Sequence, residues 1–136
     1  MKAHDTDGAT SLLLAARYNH NPEVVTTLMA AGADIKAQDN DGANALLYAG
    51  CNQNPKVITT LLKAGLDIKA RDKKGSTVLM WAAMINPNPD VITALLKAGA
   101  DPKAKDNSGS TAFDYAQYNA SLDGTDAYRQ LQGASQ

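Results

Sequence analysis

The residues that could perform chemistry are few and lie far apart along the chain. His4 and His20 are the two histidines of the 136 residues, and a metal site or acid–base pair built on them would need neighbouring Cys or Glu ligands that the sequence does not supply. Cys51 is the single cysteine, which excludes an intramolecular disulfide, and its repeat motif contains no histidine to activate it. We therefore expect the histidines to be solvated or capping residues and Cys51 to be small and semi-buried.

A second candidate is the segment 39–42, Asp-Asn-Asp-Gly, which resembles part of a calcium-binding loop. Such a loop also needs an Asp two residues earlier and a distal Glu, where this sequence has Ala37 and Tyr48. The segment is thus expected to be a plain turn. No phosphate-binding glycine loop, serine elbow or paired-carboxylate motif appears either. The sequence predicts no catalytic residue, no metal site and no cofactor, and a protein that is not an enzyme.

Composition narrows the class of protein. Thirteen basic residues face 14 acidic ones, for a formal net charge of −1, which argues against a general binder of nucleic acid or anionic membranes. No apolar run approaches about 18 residues, so no membrane span is expected, and no signal peptide is visible. A soluble protein is expected, with the cytoplasm favoured and a periplasmic or secreted location open if a signal peptide was removed. Aromatic residues make up only 5%, too few for one deep globular core, which suggests thin layers packed through small residues.

The layers are visible as an internal repeat. Gly8, Gly42, Gly75 and Gly109 are separated by 34, 33 and 34 residues, and an Asp precedes each of them by three positions. A second block recurs, in which a proline opens an apolar stretch that ends at a glycine: Pro22 to Gly32, Pro55 to Gly65 and Pro89 to Gly99. A period of this length indicates stacked units, each too small to bury its own apolar face.

Each unit reads as a turn, a short helix, a loop and a second helix. A residue suited to capping starts the first helix of each unit, namely Thr10, Asn44, Thr77 and Thr111. The second helix begins with Asn at the cap and Pro at the first helical position, at Asn21, Asn54 and Asn88. Gly32, Gly65 and Gly99 then lie where a residue in the left-handed conformation ends a helix.

The residues that recur at matching positions of the repeats resemble those of the ankyrin repeat family. Residues 72–83 read Asp-Lys-Lys-Gly-Ser-Thr-Val-Leu-Met-Trp-Ala-Ala, and Gly-Ala-Asp follows two of the second helices, at Gly32 and Gly99, while Leu66 replaces the Ala after Gly65. The Thr-Pro motif of the family lacks its proline in every repeat. In the second repeat, Asn44 also replaces the Thr, and Gly50 replaces the second residue of the Ala-Ala pair. The Asn-Pro entry and the aromatic residue before the Ala pair are similar to bacterial repeats. The resemblance implies an all-α ankyrin solenoid of about four helix-turn-helix repeats with projecting β-turn or hairpin fingers.

The register predicts a single domain over residues 1–136, with repeats at about 5–38, 39–71 and 72–105 and a C-terminal capping repeat at 106–136. The last repeat carries polar residues on its helices, as the end of a stack requires. The chain begins in mid-period, and its first repeat has the apolar pattern of an internal one. We therefore expect either a monomer or weak end-to-end self-association through an uncapped N-terminal repeat.

The resemblance implies that finger tips and first helices line a concave face that binds another protein. Tyr18, Met84, Ile85 and Tyr118 would place apolar groups on this face, and the tips change from acidic to basic along the array. The aromatic residues Tyr48, Trp81 and Tyr115 are expected to pack between repeats, with an edge reaching the groove. The predicted contact residues are Asp7, Arg17, Tyr18, Asn40, Asp41, Asn52, Lys73, Lys74, Trp81, Met84, Ile85, Ser108 and Tyr118.

The alternative to a protein-binding module is a regulatory or targeting piece of a larger multidomain protein, such as an enzyme whose catalytic part is absent.

Overall fold

A computed structural model describes residues 10–134. In that range the chain forms eight α-helices and no β-strand. The helices are α1 (Ser11–Tyr18), α2 (Pro22–Ala30), α3 (Ala45–Ala49), α4 (Pro55–Lys63), α5 (Val78–Ile85), α6 (Pro89–Lys97), α7 (Ala112–Ala116) and α8 (Asp126–Ala134), with a short 3₁₀ turn at Ala120–Leu122. Asp5, Asp7, Gly8 and His4, which the sequence analysis singled out, lie outside the described residues.

The helices pack as antiparallel pairs in two layers. The pairs α1–α2, α3–α4, α5–α6 and α7–α8 each form one unit. First helices contact first helices along the order α1, α3, α5 and α7, and second helices do the same along α2, α4, α6 and α8. The helical solenoid predicted from the repeat is confirmed, while the predicted repeat boundaries stay a prediction.

The helix signals read from the sequence act as predicted. The side chains of Thr10, Asn44, Thr77 and Thr111 each accept a hydrogen bond from the backbone N–H three residues on. Asn21, Asn54 and Asn88 cap the second helices, and each is followed by a proline at the first helical position. Gly32, Gly65 and Gly99 have φ of 99°, 109° and 101°, so the predicted left-handed endings are confirmed.

The core is built from aliphatic and small residues at matching positions of each unit. Leu12, Leu46 and Leu79 are at most 1% exposed, and so are Val57, Leu61, Val91 and Leu95 of the second helices. The first repeat differs, because Val24 and Leu28 of α2 are only partly buried although their equivalents in α4, Val57 and Leu61, have no exposed surface. The stack therefore presents more apolar surface on α2 than on the matching face of an inner repeat.

Candidate functional site

Each described finger turn is closed by a buried or half-buried aspartate. Asp39 is typical: one carboxylate oxygen accepts the backbone N–H groups of Asp41 and Ala43, each at 2.9 Å, and the other accepts the hydroxyl of Tyr48 at 2.6 Å. Asp72 pairs in the same way with the indole N–H of Trp81 at 3.2 Å, and Asp106 pairs with the hydroxyl of Tyr115. The aromatic residue, nine positions after the aspartate, thus fixes the finger to the first helix.

Through this pairing, the hydroxyl groups of Tyr48 and Tyr115 and the indole N–H of Trp81 each donate a hydrogen bond to an aspartate. The rings of Tyr48 and Trp81 also lie 5.7 Å apart, centre to centre, which confirms the predicted packing between repeats for these two. Trp81 remains partly exposed, so its ring can present an edge to a partner while its N–H stays bonded to Asp72.

The hydrogen bond from Tyr115 lowers the pKa of Asp106, helped by the backbone N–H groups of Ser110 and Ser108. The same bond raises the pKa of the Tyr115 hydroxyl.

Neighbouring finger tips are joined by hydrogen bonds. The backbone N–H of Lys73 donates to the carbonyl of Asp41 at 2.9 Å, and that of Asn107 donates to the carbonyl of Lys74 at 2.9 Å. The ammonium group of Lys73 also donates to the backbone carbonyl of Asn40 at 2.9 Å. The predicted contact residues Asn40, Asp41, Lys73, Lys74 and Ser108 are all exposed, so the structure brings these tip residues together along one edge.

A row of buried asparagines joins the loops between first and second helices. Asn86 is fully buried, and its side-chain amide donates to the carbonyls of Gly50 and Asn52, each at 2.8 Å. Asn52 and Asn119 make the same pair of bonds to the repeat before them. Asn52 has no exposed surface, so this residue of the predicted contact set cannot touch a partner directly. The row was not predicted, although Asn recurs at these positions of the sequence with the period of the repeat.

The exposed apolar side chains lie at the ends of the first helices. Tyr18 is 66% exposed, Met84 44%, Ile85 43% and Tyr118 86%. Leu14, one turn before Tyr18, is also exposed and was not among the predicted contact residues. The guanidinium of Arg17 lies 5.2 Å from the centre of the Tyr18 ring, a distance at which a cation is attracted to the face of the ring. We call Leu14, Tyr18, Trp81, Met84, Ile85 and Tyr118 the apolar strip.

A groove opens in the apolar strip at the second repeat. Helices α1 and α5 are eight residues long, whereas α3 between them has five and ends at Ala49. The shorter helix leaves a space of about 350 Å³ lined by Arg17, Tyr18, His20, Cys51, Gln53 and Ile85. We call this space the Cys51 groove. Burial raises the pKa of the Cys51 thiol to about 11, and the nearby Arg17 charge opposes this only in part, so the groove holds a neutral thiol at physiological pH.

The charges of the finger segments differ from one repeat to the next. Residues 34–43 carry three acidic side chains and one basic one. Residues 67–76 carry four basic side chains, Lys69, Arg71, Lys73 and Lys74, against two acidic ones. The predicted change of sign along the array is therefore present at exposed positions.

Among residues 10–134, no three side chains of His, Cys, Asp or Glu are grouped closely enough to hold a metal ion. None of the helices in that range combines the length and the apolar character needed to cross a bilayer.

Comparison with family models gives two matches that together cover most of the chain. Residues 1–72 match a model described as ankyrin repeats in three copies, and residues 61–116 match one described as ankyrin repeats in many copies. No curated protein matches the chain.

Proposed function

The chain belongs to the ankyrin repeat family, and from this premise we propose that it binds a partner protein through its finger tips and the apolar strip. Ankyrin repeats are generally protein–protein interaction modules, and domains of this kind are typically non-catalytic. The observation that carries the proposal is the exposure of Tyr18 and Ile85 at the ends of α1 and α5 and of Tyr118 just after α7. Aromatic and large aliphatic residues clustered on a surface are typical of the centre of an interface.

The proposed contact set follows from the predicted one with two changes. Asn52 is left out because it is fully buried, and Leu14 is added because it extends the apolar strip by one helical turn. Trp81 contributes the exposed edge of its ring. The other members are Arg17, Tyr18, Asn40, Asp41, Lys73, Lys74, Met84, Ile85, Ser108 and Tyr118, together with Asp7 from the sequence analysis.

The test is affinity capture from the source organism with the whole chain as bait. A variant with Met84→Lys and Ile85→Glu puts two charges on the apolar strip without touching the core. The matched control, Thr26→Lys with Thr59→Glu, places the same charges at exposed positions of α2 and α4. We expect a partner that the wild type and the control retain and the strip variant loses. A partner retained equally by all three proteins would refute the assignment of the surface.

We also infer weak self-association, with a second copy meeting the partly exposed face of α2. The support is the partial exposure of Val24 and Leu28, whose equivalents in inner repeats are buried. Sedimentation at rising concentration should show association in the wild type that Leu28→Gln removes, because a buried amide without partners is costly. A wild type that is monomeric at every concentration, or an unchanged variant, would contradict this inference.

A further inference from the structure

The finger segment of residues 67–76 is unlike its neighbours in charge. Of its two acidic residues, Asp72 has both carboxylate oxygens occupied by the backbone N–H groups of Lys74 and Ser76 and the indole N–H of Trp81. The other, Asp67, is exposed and accepts the backbone N–H of Lys69. The four cations are exposed. Arg71 donates to the backbone carbonyls of Gly75 and Lys105, and its charge helps to lower the pKa of the neighbouring Asp106. The ammonium group of Lys73 is positioned by a neutral acceptor, the backbone carbonyl of Asn40, which leaves its charge available to a partner. We call Lys69, Arg71, Lys73 and Lys74 the basic finger.

The basic finger and the Cys51 groove belong to one continuous surface. Trp81 connects them, because its indole N–H is bonded to Asp72 inside the finger turn and its ring is partly exposed. Ile85 follows Trp81 by four residues on α5, which places both side chains on the same face of the helix. Ile85 is in turn a wall of the Cys51 groove. A partner segment that fills the groove therefore reaches the basic finger by crossing Trp81.

The groove suits a large apolar side chain. Its protruding walls are Tyr18 and Ile85, and Cys51, a neutral thiol, also lines it. The rest of the lining, Arg17, His20 and Gln53, is polar. A space of about 350 Å³ accommodates a leucine or an aromatic ring with some of the neighbouring backbone. The anchor would be desolvated between the two protruding side chains, which is the setting in which interface residues contribute most to binding.

We propose that the partner is a protein segment that carries clustered Asp or Glu residues next to one large apolar anchor. This inference depends on the proposed function, and it assigns the anchor to the Cys51 groove and the acidic cluster to the basic finger. Complementary charge chiefly sets orientation and association rate. The acidic finger segment of residues 34–43 lies beside the basic finger, since the backbone carbonyl of Asp41 accepts the backbone N–H of Lys73, and its charge limits the contact with an anionic partner to one end. That limit favours a short acidic cluster over a long polyanion such as RNA.

The test is selection from a displayed library of random peptides about 16 residues long, which extend to about 50 Å, on the full chain. We expect enriched peptides to combine two or more acidic residues with an aromatic or leucine side chain. Peptide affinity should fall about ten-fold with Ile85→Glu. At low salt, affinity should fall about five-fold when Lys73→Gln and Lys74→Gln are combined, and it should be retained when Lys73→Arg and Lys74→Arg are combined. At high salt, the glutamine substitutions should no longer change the affinity.

The matched control is Lys56→Gln with Lys63→Gln, which removes two exposed cations from α4 and should leave affinity unchanged. Peptides that lose affinity with Ile85→Glu but carry no acidic cluster and ignore the finger variant would overturn this inference and leave the proposed function standing. Equal losses in the finger and α4 variants would also overturn it, since the effect would be one of net charge. Absence of any enriched peptide, or binding that Ile85→Glu does not change, would overturn the inference and the proposed function together.

Discussion

Replacing Asn86 with alanine is expected to destabilise the stack by about 3 kcal/mol. The Asn86 side chain has no exposed surface, donates to the carbonyls of Gly50 and Asn52 at 2.8 Å each, and accepts the backbone N–H of Asn88 at 2.9 Å. Each hydrogen bond contributes about 1 kcal/mol net, and a buried group left without a partner costs at least as much. Removal of the amide leaves three backbone groups without this partner: the carbonyls of Gly50 and Asn52 in the preceding repeat, and the N–H of Asn88.

Urea unfolding followed by circular dichroism measures the loss, with a melting temperature about 10 °C lower as the companion result. Asn86→Asp gives a sharper test, because at neutral pH it places a carboxylate against two carbonyl oxygens. The variant should be at least as unstable as Asn86→Ala at pH 7. It should recover in part as the pH falls, because the protonated carboxyl group can donate one bond again.

Asn40→Ala is the control, since the Asn40 side chain is exposed on a finger tip, and its effect should stay within about 0.5 kcal/mol. If Asn86→Ala costs no more than this control, the loops are not held together by the asparagine row and the reasoning fails. A large loss in Asn86→Ala with no pH dependence in Asn86→Asp would assign the effect to packing of the amide and not to its donors.

Three further outcomes follow from the same structure. Because the pKa of Cys51 is raised to about 11, its alkylation by iodoacetamide at pH 8 should be far slower than that of an unfolded control, and equal rates would contradict its burial. Tyr115→Phe should lower the free energy of unfolding by about 1 kcal/mol at pH 7, because it removes the hydrogen bond that holds the pKa of Asp106 down. Stability of this origin is lost as the pH falls through the folded-state pKa of Asp106, so the difference in free energy of unfolding between variant and wild type should become smaller in acid. A difference that stays constant with pH would refute the assignment. Gly50→Ala should cost about 1–2 kcal/mol in urea unfolding despite alanine's better helix propensity, since the new Cβ would lie 2.9 Å from Val78 Cγ2; an unchanged or stabilised variant would show that the neighbouring helix can move away.

Helix starts and ends were predictable from the sequence because they depend on local chemistry. An asparagine before a proline caps its own helix through an N–H two residues away, as Asn54 does for Lys56. Gly65 ends that helix because a glycine adopts a positive φ without steric cost. The repeat supplied the rest of the fold, since four copies of one pattern with small residues at matching positions can bury their apolar faces only by stacking.

The candidate surface was predictable in outline and not in detail. The exposure of Tyr18, Met84, Ile85 and Tyr118 agrees with their place after the packed part of each first helix. Asn52 was misplaced on the surface because the carbonyls that bury it belong to Ala16 and Asn19 of the previous repeat. A polar residue in a loop has no local signal that distinguishes solvation from burial against a neighbouring layer.

The sequence by itself determined the period, the helices with their caps, and the family to which the stack belongs, because each of these depends on residue types at fixed spacing. Only the tertiary structure decided which polar residues are buried, why Gly50 replaces an alanine beside Val78, and where the Cys51 groove opens. These features depend on atoms that come from different repeats. A three-residue difference in length between first helices matters only once they lie side by side, where the shorter α3 leaves the space between Tyr18 and Ile85.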